Sequence, residues 1–352
     1  MKFSIFLSFT RLHPPEHYKE SVYKEKLRQA MVADKCGYHC IWIPEHHLIH
    51  KIQVPNGLLA CVQIGHHVSC RVGQAVNLIT YRHPLITAGE IAEADHILEG
   101  RFSVTLGRGA YQYEFERLGI PFSESKERFE EALAVLEKIW GSDKGVSFDG
   151  KYFKFEQAHV WPRPYTQPHP DVWYGAQTNP SVVSAAKRGY NVNNWPLLFP
   201  MEVLAETASL FHRAREEFGN PRSKQKFGVM RGTFVAPTRE KARKGLEASL
   251  ANHRMNRGLN QFTQKSDERG YVYPEPVPNE PSFDDMYKNL IVGTPQECLE
   301  KVYQYERIGV DELMLWFDYQ DPEVAIESMQ LFAEEVIKPY GAQTTTKVKI
   351  SA

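Results

Sequence analysis

The chain alternates short apolar segments with amphipathic ones, and this alternation restricts its fold more than any other feature. Eight segments have the length and composition of strands, and nearly all are followed by a segment with helical periodicity. Repeated βα units favour a parallel sheet covered by helices, and eight units in one chain favour closure into a (β/α)8 TIM barrel. An open dinucleotide-binding sheet is disfavoured because no GxGxxG motif follows the first strand. The predicted strands cover residues 2–9, 38–45, 71–80, 101–107, 171–176, 191–195, 227–236 and 312–317.

Two segments interrupt the repeat and predict insertions after strands 4 and 7 of the barrel. Residues 142–170 contain glycines and prolines around aromatic pairs, which predicts a hairpin followed by a proline-rich crossing. Residues 257–288 are polar, contain four prolines and show no helical period, which is typical of a lid or of a partly disordered loop. We therefore expect one domain over residues 1–340, with a lid insertion at 257–288 and a flexible C-terminal tail at 341–352.

Composition and charge argue against several classes of protein. The 352 residues carry a formal net charge of −1, and no run of five or more Lys and Arg suggests a nucleic-acid partner. No apolar stretch approaches the length that crosses a membrane, and the N-terminal apolar run is too short for a signal peptide. The five cysteines are an odd number without CxxC spacing, which favours reduced thiols. We therefore expect a cytoplasmic protein.

Three polar stretches directly follow predicted strands. They are EHHLIH (45–50), GRGAYQYEF (107–115) and GAQTNPS (175–181), after strands 2, 4 and 5. In a (β/α)8 barrel, the loops that follow the strands form the face that carries the chemistry. We therefore expect these three stretches to meet at one mouth.

The first stretch holds three histidines, and three interpretations compete. His46 and His50 have the spacing of two zinc ligands on a helix, but His47 stands where that motif needs glutamate. Pro44 also predicts the end of a strand there and not the middle of a helix. The alternatives to a metal site are surface histidines without a role and one edge of an active site that holds something else.

The second stretch suits an anion. Gly107 and Gly109 leave backbone N–H groups accessible, and the guanidinium of Arg108 lies between them in the sequence. Such a combination binds phosphate oxygens well. A tight βα turn with a surface arginine explains the same residues without a ligand.

The third stretch offers a second anion site. Gln177, Thr178 and Ser181 stand at the start of a helix that Asn179-Pro180 opens, where free amides and hydroxyls collect. Capping of the helix by Asn179 is the alternative explanation. Two phosphate-suited turns on adjacent strands of one barrel favour the binding site.

Three further residues are candidates for contact with a flat ring system. Trp195, after strand 6, provides either an aromatic wall for a ring or ordinary core packing. Val76 and Asn77 stand near the end of strand 3, where a flat cofactor would meet the barrel floor.

These motifs together resemble the bacterial luciferase-like monooxygenase family. The resemblance depends on WIPEHH (42–47), on LEGRFSVTLGRGAYQYEFERLGIP (98–121) and on the following helix with Arg128. It implies a (β/α)8 barrel that binds reduced FMN at the carboxyl ends of the strands, with a non-proline cis peptide near Ala75-Val76. The flavin contacts that it implies are Val76, Asn77, Gly107, Arg108, Arg128, Gln177, Thr178, Ser181 and Trp195.

The resemblance also implies a chemistry and its partners. Reduced FMN, supplied by a separate NAD(P)H:flavin reductase, would react with O2 through a peroxyflavin and oxygenate a small organic substrate. His46 is the expected catalytic histidine beside the flavin ring, and His47 is a second candidate with a structural or substrate-facing role. A homo- or heterodimer is expected by the same analogy.

Two departures and two alternatives accompany this resemblance. Gly107 stands where luciferase-type chains often have a reactive cysteine, and the loop at 10–20 is more polar than a channel for long aldehydes requires. Light emission is therefore not expected. The alternatives are a deazaflavin-dependent hydride transferase on the same barrel and a non-catalytic flavin-binding protein.

Overall fold

The computed structural model describes residues 1–11, 22–50, 52–221, 224–317 and 321–342. Its strands are β1 (Lys2–Phe6), β2 (Cys40–Ile43), β3 (Arg71–Leu78), β4 (Phe102–Gly107), β5 (Val146–Asp149), β6 (Lys154–Ala158), β7 (Asp171–Gly175), β8 (Asn191–Asn194), β9 (Phe227–Val235), β10 (Ile291–Gly293) and β11 (Glu312–Trp316). Its α-helices are α1 (Tyr23–Lys35), α2 (Gly57–Gly65), α3 (Pro84–Ile97), α4 (Gln112–Arg117), α5 (Ser125–Trp140), α6 (Asn179–Arg188), α7 (Met201–Glu217), α8 (Arg239–Arg243), α9 (Gly245–Gln261), α10 (Phe283–Asn289), α11 (Pro295–Arg307) and α12 (Pro322–Phe332). A 3₁₀ turn at Phe122–Glu124 precedes α5, and a π-helical turn at Ala333–Ile337 follows α12.

Eight parallel strands close into a barrel. The order around it is β1, β2, β3, β4, β7, β8, β9 and β11, with β11 paired back to β1. Each of these strands lies within one of the eight predicted segments, so the (β/α)8 prediction is confirmed. The short β10 adds a further strand beside β9.

Side chains alternate between the barrel interior and the layer under the helices, as the pleat of a strand requires. On β1 and β2, Ile5 and Ile41 pair with each other and join the large core cluster between strands and helices. Their neighbours Phe6 and Trp42 belong to a separate interior cluster, where Trp42 packs edge-on against Trp173 with ring centroids 5.5 Å apart. Large apolar side chains therefore fill both the barrel interior and the layer between the strands and the helices.

A buried carboxyl group lies inside the barrel at the amino end of β11. Glu312 accepts hydrogen bonds from the Ser4 hydroxyl at 2.6 Å and from the Trp42 indole N–H at 2.7 Å. Burial raises the pKa of Glu312 above its ordinary value, although both hydrogen bonds act in the opposite direction. Glu312 thus joins β11 to β1 and β2 through side chains.

The first insertion has the predicted form. After α5, β5 and β6 pair as an antiparallel hairpin, and the crossing that follows contains cis peptides at Trp161-Pro162 and Gln167-Pro168. The chain then enters β7, the fifth strand of the barrel.

The second insertion is more helical than the sequence suggested. α9 extends to Gln261 and α10 begins at Phe283, so the stretch without an α-helix is 262–282 and not 257–288. α10 is short and buries Met286, while the hydroxyl of Ser282 caps it by accepting from the N–H of Asp285. One buried residue in seven leaves too little apolar pattern to reveal a helix.

The C-terminal prediction can be compared only at its start. Residues 341 and 342 continue the last helix, and 343–352 lie outside the described residues. Within the described part of the chain, we find no helix with the length and apolar character that a membrane crossing needs.

Candidate active site

A cavity of about 770 Å³ opens at the carboxyl ends of the barrel strands. The loops after β2, β4 and β7 all contribute to it, together with α9. The three polar stretches therefore meet at one mouth, as the barrel topology predicts. The predicted site residues that line this cavity are His46, Val76, Gly107, Arg108, Gln177, Thr178, Ser181 and Trp195.

His46 is held by two neighbours. Its ring stacks on Tyr111, with centroids 4.7 Å apart and planes 17° apart, and its Nδ1 lies 3.2 Å from Oε1 of Glu114. Glu114 is 1% exposed and also accepts from the backbone N–H of His47 at 2.6 Å and from the Tyr81 hydroxyl at 3.4 Å. Burial raises the pKa values of both phenols, so Tyr81 and Tyr111 remain hydrogen-bond donors at neutral pH.

His47 occupies a different environment from His46. Its Nε2 lies 3.1 Å from Oε1 of Glu45, a fully buried carboxylate. The other oxygen of Glu45 accepts from the Gln74 amide at 2.8 Å and from the N–H of Gly57 at 3.3 Å. His47 therefore contacts the frame that supports the β2 loop.

Val76 and Gly107 form the floor between β3 and β4. The expected non-proline cis peptide is present between Ala75 and Val76. A Cβ atom on Gly107 would lie 2.5 Å from Cγ2 of Val76, so a side chain at position 107 has no room. The side-chain NH2 of Asn77 donates to Oε1 of Gln74 at 2.9 Å and so supports this floor. Asn77 is not among the described residues that line the cavity.

The loop after β4 presents Arg108 to the cavity. The Thr80 hydroxyl donates to the carbonyl of Arg108 at 2.6 Å and fixes the turn, while the guanidinium donates to Ser125 at 3.1 Å. Lys126, next to Ser125 on α5, lines the same end of the cavity. Two cationic side chains and the open turn at Gly109 can bind an anionic group.

The start of α6 forms the facing wall. Thr178 is the N-cap, and not Asn179 as the alternative explanation held, because Thr178 and Ser181 have the three-residue spacing that a capping box needs. The Ser181 hydroxyl donates to the carbonyl of Thr178 at 2.7 Å, and its N–H donates to the Thr178 hydroxyl at 3.4 Å. Gln177 precedes the cap and lines the cavity with it.

The side chain of Arg128 does not join Arg108 and the start of α6 at the cavity. Its guanidinium pairs with Glu124 at 3.1 Å and lies 4.5 Å from the ring centroid of Tyr152. Of the described residues, those that line the cavity do not include Arg128. Glu124, in the 3₁₀ turn before α5, stands one helical turn before Arg128, and this local ion pair accounts for the position of the guanidinium.

The opposite end of the cavity is apolar and aromatic. Phe6 and Trp316 pack edge-on with centroids 5.7 Å apart, and Met230 lies beside them in the interior cluster. Trp195 lies against Gly175, where an added Cβ would be 3.2 Å from the indole. The cavity is thus polarised, with cationic side chains at one end and aromatic rings at the other.

Sequence reasoning missed the residues that organise this site. Glu114, Tyr111 and Lys126 were not singled out, although the first two stand within GRGAYQYEF. Glutamate, tyrosine and lysine are common on helix surfaces, so a single sequence carries no sign that these side chains face inward. The available signal for Tyr111 and Glu114 was position, since they stand in the loop and the short helix that directly follow β4, whereas Lys126 lies farther along, on α5.

The histidines do not form a metal site in the described structure. His46 and His47 contact different carboxylates, and His50 lies edge-on to Tyr271 with centroids 5.2 Å apart. Across the described ranges, no group of three or more His, Cys, Asp and Glu residues is arranged to hold a metal ion.

Comparison with known proteins identifies the family. The family model described as luciferase-like monooxygenase matches residues 1–312. The chain belongs to this family. Among curated relatives of this luciferase-like protein, the oxygenase component of the flavin-dependent trigonelline monooxygenase of Acinetobacter baylyi is 28% identical over 331 residues, covering 90% of this chain and 89% of the relative. The FMNH2-dependent dimethylsulfone monooxygenase of Pseudomonas putida is 26% identical over 252 residues, covering 68% of each chain.

Solved structures agree on the fold. Monooxygenase RslO1 from Streptomyces bottropensis superimposes with a TM-score of 0.82 at 26% identity, covering 97% of this luciferase-like chain and 100% of the other. An F420-dependent secondary alcohol dehydrogenase superimposes with a TM-score of 0.75 at 19% identity, covering 95% and 98%. The fold alone therefore does not choose between a flavin and a deazaflavin.

Proposed function

We propose that this luciferase-like protein is a monooxygenase that uses reduced FMN and O2 to oxygenate a small organic substrate. One observation carries the proposal: His46 and Arg108, from the loops after β2 and β4, and Ser181, from the start of α6, line a single cavity. The flavin-dependent relatives support a flavin, and the FMNH2-dependent relative supports FMN.

The residues present fit FMN. A cavity of about 770 Å³ lies within the range that accommodates cofactors. In this proposal Arg108, Lys126 and the start of α6 hold the phosphate, because cationic side chains and a helix N-terminus both favour an anion. The ring would rest on Val76 beside Gly107, where the missing Cβ leaves the floor flat.

Bound reduced FMN would supply the electrons that activate O2 for transfer of one oxygen atom to the substrate. His46 moves the proton that this transfer requires. Glu114 accepts hydrogen bonds from His47 and Tyr81, so it acts as an acceptor toward His46 as well. In this arrangement Nδ1 of His46 donates to Glu114, and Nε2 is the ring nitrogen that exchanges the proton of the reaction.

Exclusion of water is assigned to the second insertion. In the described structure, Tyr271 is fully buried, and its hydroxyl donates to the carbonyl of Arg11 at 3.3 Å. Its ring also contacts His50 in the β2 loop. The segment 262–282 is thus attached to the loops after β1 and β2, which suits a lid over the reaction.

Charge favours FMN over a deazaflavin cofactor. Arg108 and Lys126 are cationic residues of the cavity lining, and Glu45, Glu114 and Glu130 oppose them. This balance suits one phosphate group better than a long acidic tail. A non-catalytic flavin-binding role gives no reason for His46 to be oriented by Glu114.

Two partners complete the proposal. A separate NAD(P)H:flavin reductase supplies reduced FMN, in line with the relative that is itself an oxygenase component.

A homodimer or heterodimer would cover the exposed Leu59 of α2 and Ile86 of α3, which are 69% and 61% exposed on adjacent helices. Light scattering measures the mass of the purified protein in solution, and the mass of one chain would contradict a dimer.

The deciding experiment incubates the protein with reduced cofactor and a panel of small ketones, sulfones and heteroaromatic compounds. We expect products heavier by one oxygen atom, formed with reduced FMN and only when O2 is present. Labelling with ¹⁸O2 should place the heavy isotope in the product. Oxygen-independent turnover with a reduced deazaflavin would replace this proposal by hydride transfer, and tight flavin binding without any product would favour the non-catalytic role.

A further inference from the structure

We propose that Leu197 is a specificity-determining residue, which limits how far a substrate can extend into the apolar end of the cavity. Leu197 lies in the loop between β8 and α7. The inference rests on the proposed function, because it names a residue that selects substrates for that cavity. It concerns the length of the substrate's apolar part.

The backbone of Leu197 has a conformation that a leucine rarely adopts. Leu197 is the second residue of a turn in which the N–H of Phe199 donates to the carbonyl of Pro196 at 2.8 Å. Its φ of 47° lies in the left-handed region, where a side chain is strained and glycine is favoured. Such strain persists where the surroundings impose it, and it clusters at sites that bind ligands. A leucine at this position therefore points to a function of its side chain.

The carbonyl groups of this turn are fixed by two side chains. Arg231 on β9 is 1% exposed, and its guanidinium donates to the carbonyl of Leu197 at 2.7 Å and to that of Phe199 at 2.8 Å. The side-chain NH2 of Asn289 donates to the carbonyl of Leu198, which lies between them, at 3.2 Å. A buried guanidinium needs such acceptors, because an unpartnered charge is costly inside a protein. The turn, and Leu197 with it, is therefore held in one position.

Packing in the core does not account for Leu197. The neighbouring Leu198 packs against the apolar cluster that contains Phe234 and Leu290. Leu197 is half-buried and belongs to none of the hydrophobic clusters that the described residues form. Leu197 lines the main cavity, and Leu198 is not among the described residues that do so. The two consecutive leucines thus have different surroundings, and those of Leu197 are the cavity.

Leu197 stands at the boundary between the main cavity and a recess of about 30 Å³. Four residues line both spaces, and the other three are held through their side chains. Met230 and Trp316 pack in the interior cluster, and Asn256 accepts from the Tyr111 hydroxyl. Leu197 is therefore the boundary residue whose side chain can be shortened without loss of these contacts.

The recess continues the cavity beyond Leu197. Its farther wall includes Gly232 of β9 and Ser249 of α9, which are not among the described residues that line the main cavity. Shortening Leu197 to alanine removes the branched end of the side chain between the two spaces. Because the recess itself accommodates one or two heavy atoms, a substrate could then extend by about two or three methylene groups.

The test measures how the affinity for 4-alkylphenols depends on the length of the alkyl chain, from methyl to octyl. Isothermal calorimetry with FMN in excess gives the chain length beyond which the affinity stops rising. Up to that limit, each methylene group should strengthen binding about fourfold. We expect the limit of Leu197→Ala to exceed that of the wild type by about two or three methylene groups, so that the longest probes bind about fifteen- to sixtyfold more tightly.

The same turn offers a matched control. Leu198→Ala shortens the next leucine and leaves Leu197 in place, so its chain-length limit should equal that of the wild type. Leu197→Gly is a second variant, because glycine adopts a positive φ without strain. It should show the longer limit and should unfold at no lower urea concentration than Leu197→Ala. The affinity for FMN should stay close to that of the wild type in all three variants, because Arg108 and Lys126 remain in place.

A crystal structure of Leu197→Ala with 4-octylphenol provides a readout that needs neither flavin nor turnover. The end of the octyl chain should lie in the recess beside Gly232, and in the wild type it should stop before Leu197. An equal chain-length limit in the wild type and Leu197→Ala, the same gain in Leu198→Ala, or an octyl chain that avoids the recess would each overturn the inference. An octyl chain in the recess of a protein that fails to bind FMN would instead refute the proposed function and leave this inference standing.

Discussion

Oε1 of Glu114 lies 3.2 Å from Nδ1 of His46, although 68 positions separate the two residues in the chain. His46 follows β2 and Glu114 lies on α4, which follows β4. The barrel brings them together because both strands end at the same mouth. Glu114 is thus the residue that fixes how His46 faces the cavity.

Replacing Glu114 by glutamine tests this positioning. The backbone N–H of His47 donates to the same oxygen, so the amide oxygen keeps that position and its NH2 faces the Tyr81 hydroxyl. The change therefore keeps the hydrogen bond to Nδ1 of His46 but removes the negative charge beside it. We expect kcat to fall about ten- to a hundredfold, within the contribution of a well-placed acid or base, while the dissociation constant of FMN changes less than about threefold. Glu116→Gln, an exposed change on the same helix, should leave both quantities unaltered. A loss of FMN affinity as large as the loss of kcat would contradict a positioning role.

We expect opposite effects on flavin binding from substitutions at Arg108 and Arg128. Arg108→Ala should weaken the binding of reduced FMN about ten- to a hundredfold, which is the effect of losing charge-assisted hydrogen bonds. The affinity for riboflavin should stay almost unchanged, because riboflavin has no phosphate. Arg128→Ala should change the affinity for neither flavin, since the guanidinium of Arg128 pairs with Glu124. Anaerobic titration of both flavins measures this. An equal loss for riboflavin would show that Arg108 does not act on the phosphate.

Gly107→Ala should destabilise the protein. The new Cβ would lie 2.5 Å from Cγ2 and 2.7 Å from Cβ of Val76, and overpacking of this kind costs about 1–3 kcal/mol. Val76→Ala should relieve part of that cost, so the double variant is more stable than the sum of the two single changes. Urea unfolding provides all three free energies, and strict additivity would refute the contact.

Glu312 should make stability depend on pH. Its pKa is raised in the folded state above the ordinary 4.5, so the protonated acid contributes stability below that pH and the contribution is lost as pH rises through the folded pKa. Glu312→Gln keeps an oxygen acceptor for Ser4 and Trp42 and cannot ionise. We therefore expect the stability of the variant relative to the wild type to increase from pH 4.5 upward. Unfolding free energies of both proteins over this range measure it. Glu202→Gln, an exposed change on α7, serves as the control, and a flat difference for Glu312→Gln would contradict the prediction.

The barrel was predictable because its evidence is repeated. Most barrel strands are short apolar runs, such as ELMLW in β11, and their repetition along the chain also reveals the polar β8, which reads NVNN. α10 escaped prediction because a helix that buries Met286 alone has no periodicity. Local pattern reveals elements that bury a full face and overlooks those that do not.

The site was predictable where backbone chemistry dictates residue type. Gly107 stands out in sequence because a Cβ has no room there, and Thr178 and Ser181 stand out as hydroxyls at the start of a helix, although the sequence pointed to Asn179 as the cap. Glu114 did not stand out, since its role depends on burial beside His46, which only the closed barrel creates. Arg128 illustrates the converse, because a cation near a phosphate turn is indistinguishable in sequence from one in a local ion pair.

Tyr111 touches His46 with its ring and Asn256 with its hydroxyl, so a single side chain spans from the loop after β2 to α9. α9 runs directly into the segment 262–282. If that segment swings outward and draws α9 with it, Tyr111 must release either the asparagine or the imidazole. An open mouth then leaves His46 fully braced only if the hydrogen bond to Asn256 is the contact that breaks, so the strength of that one bond sets how easily the mouth opens.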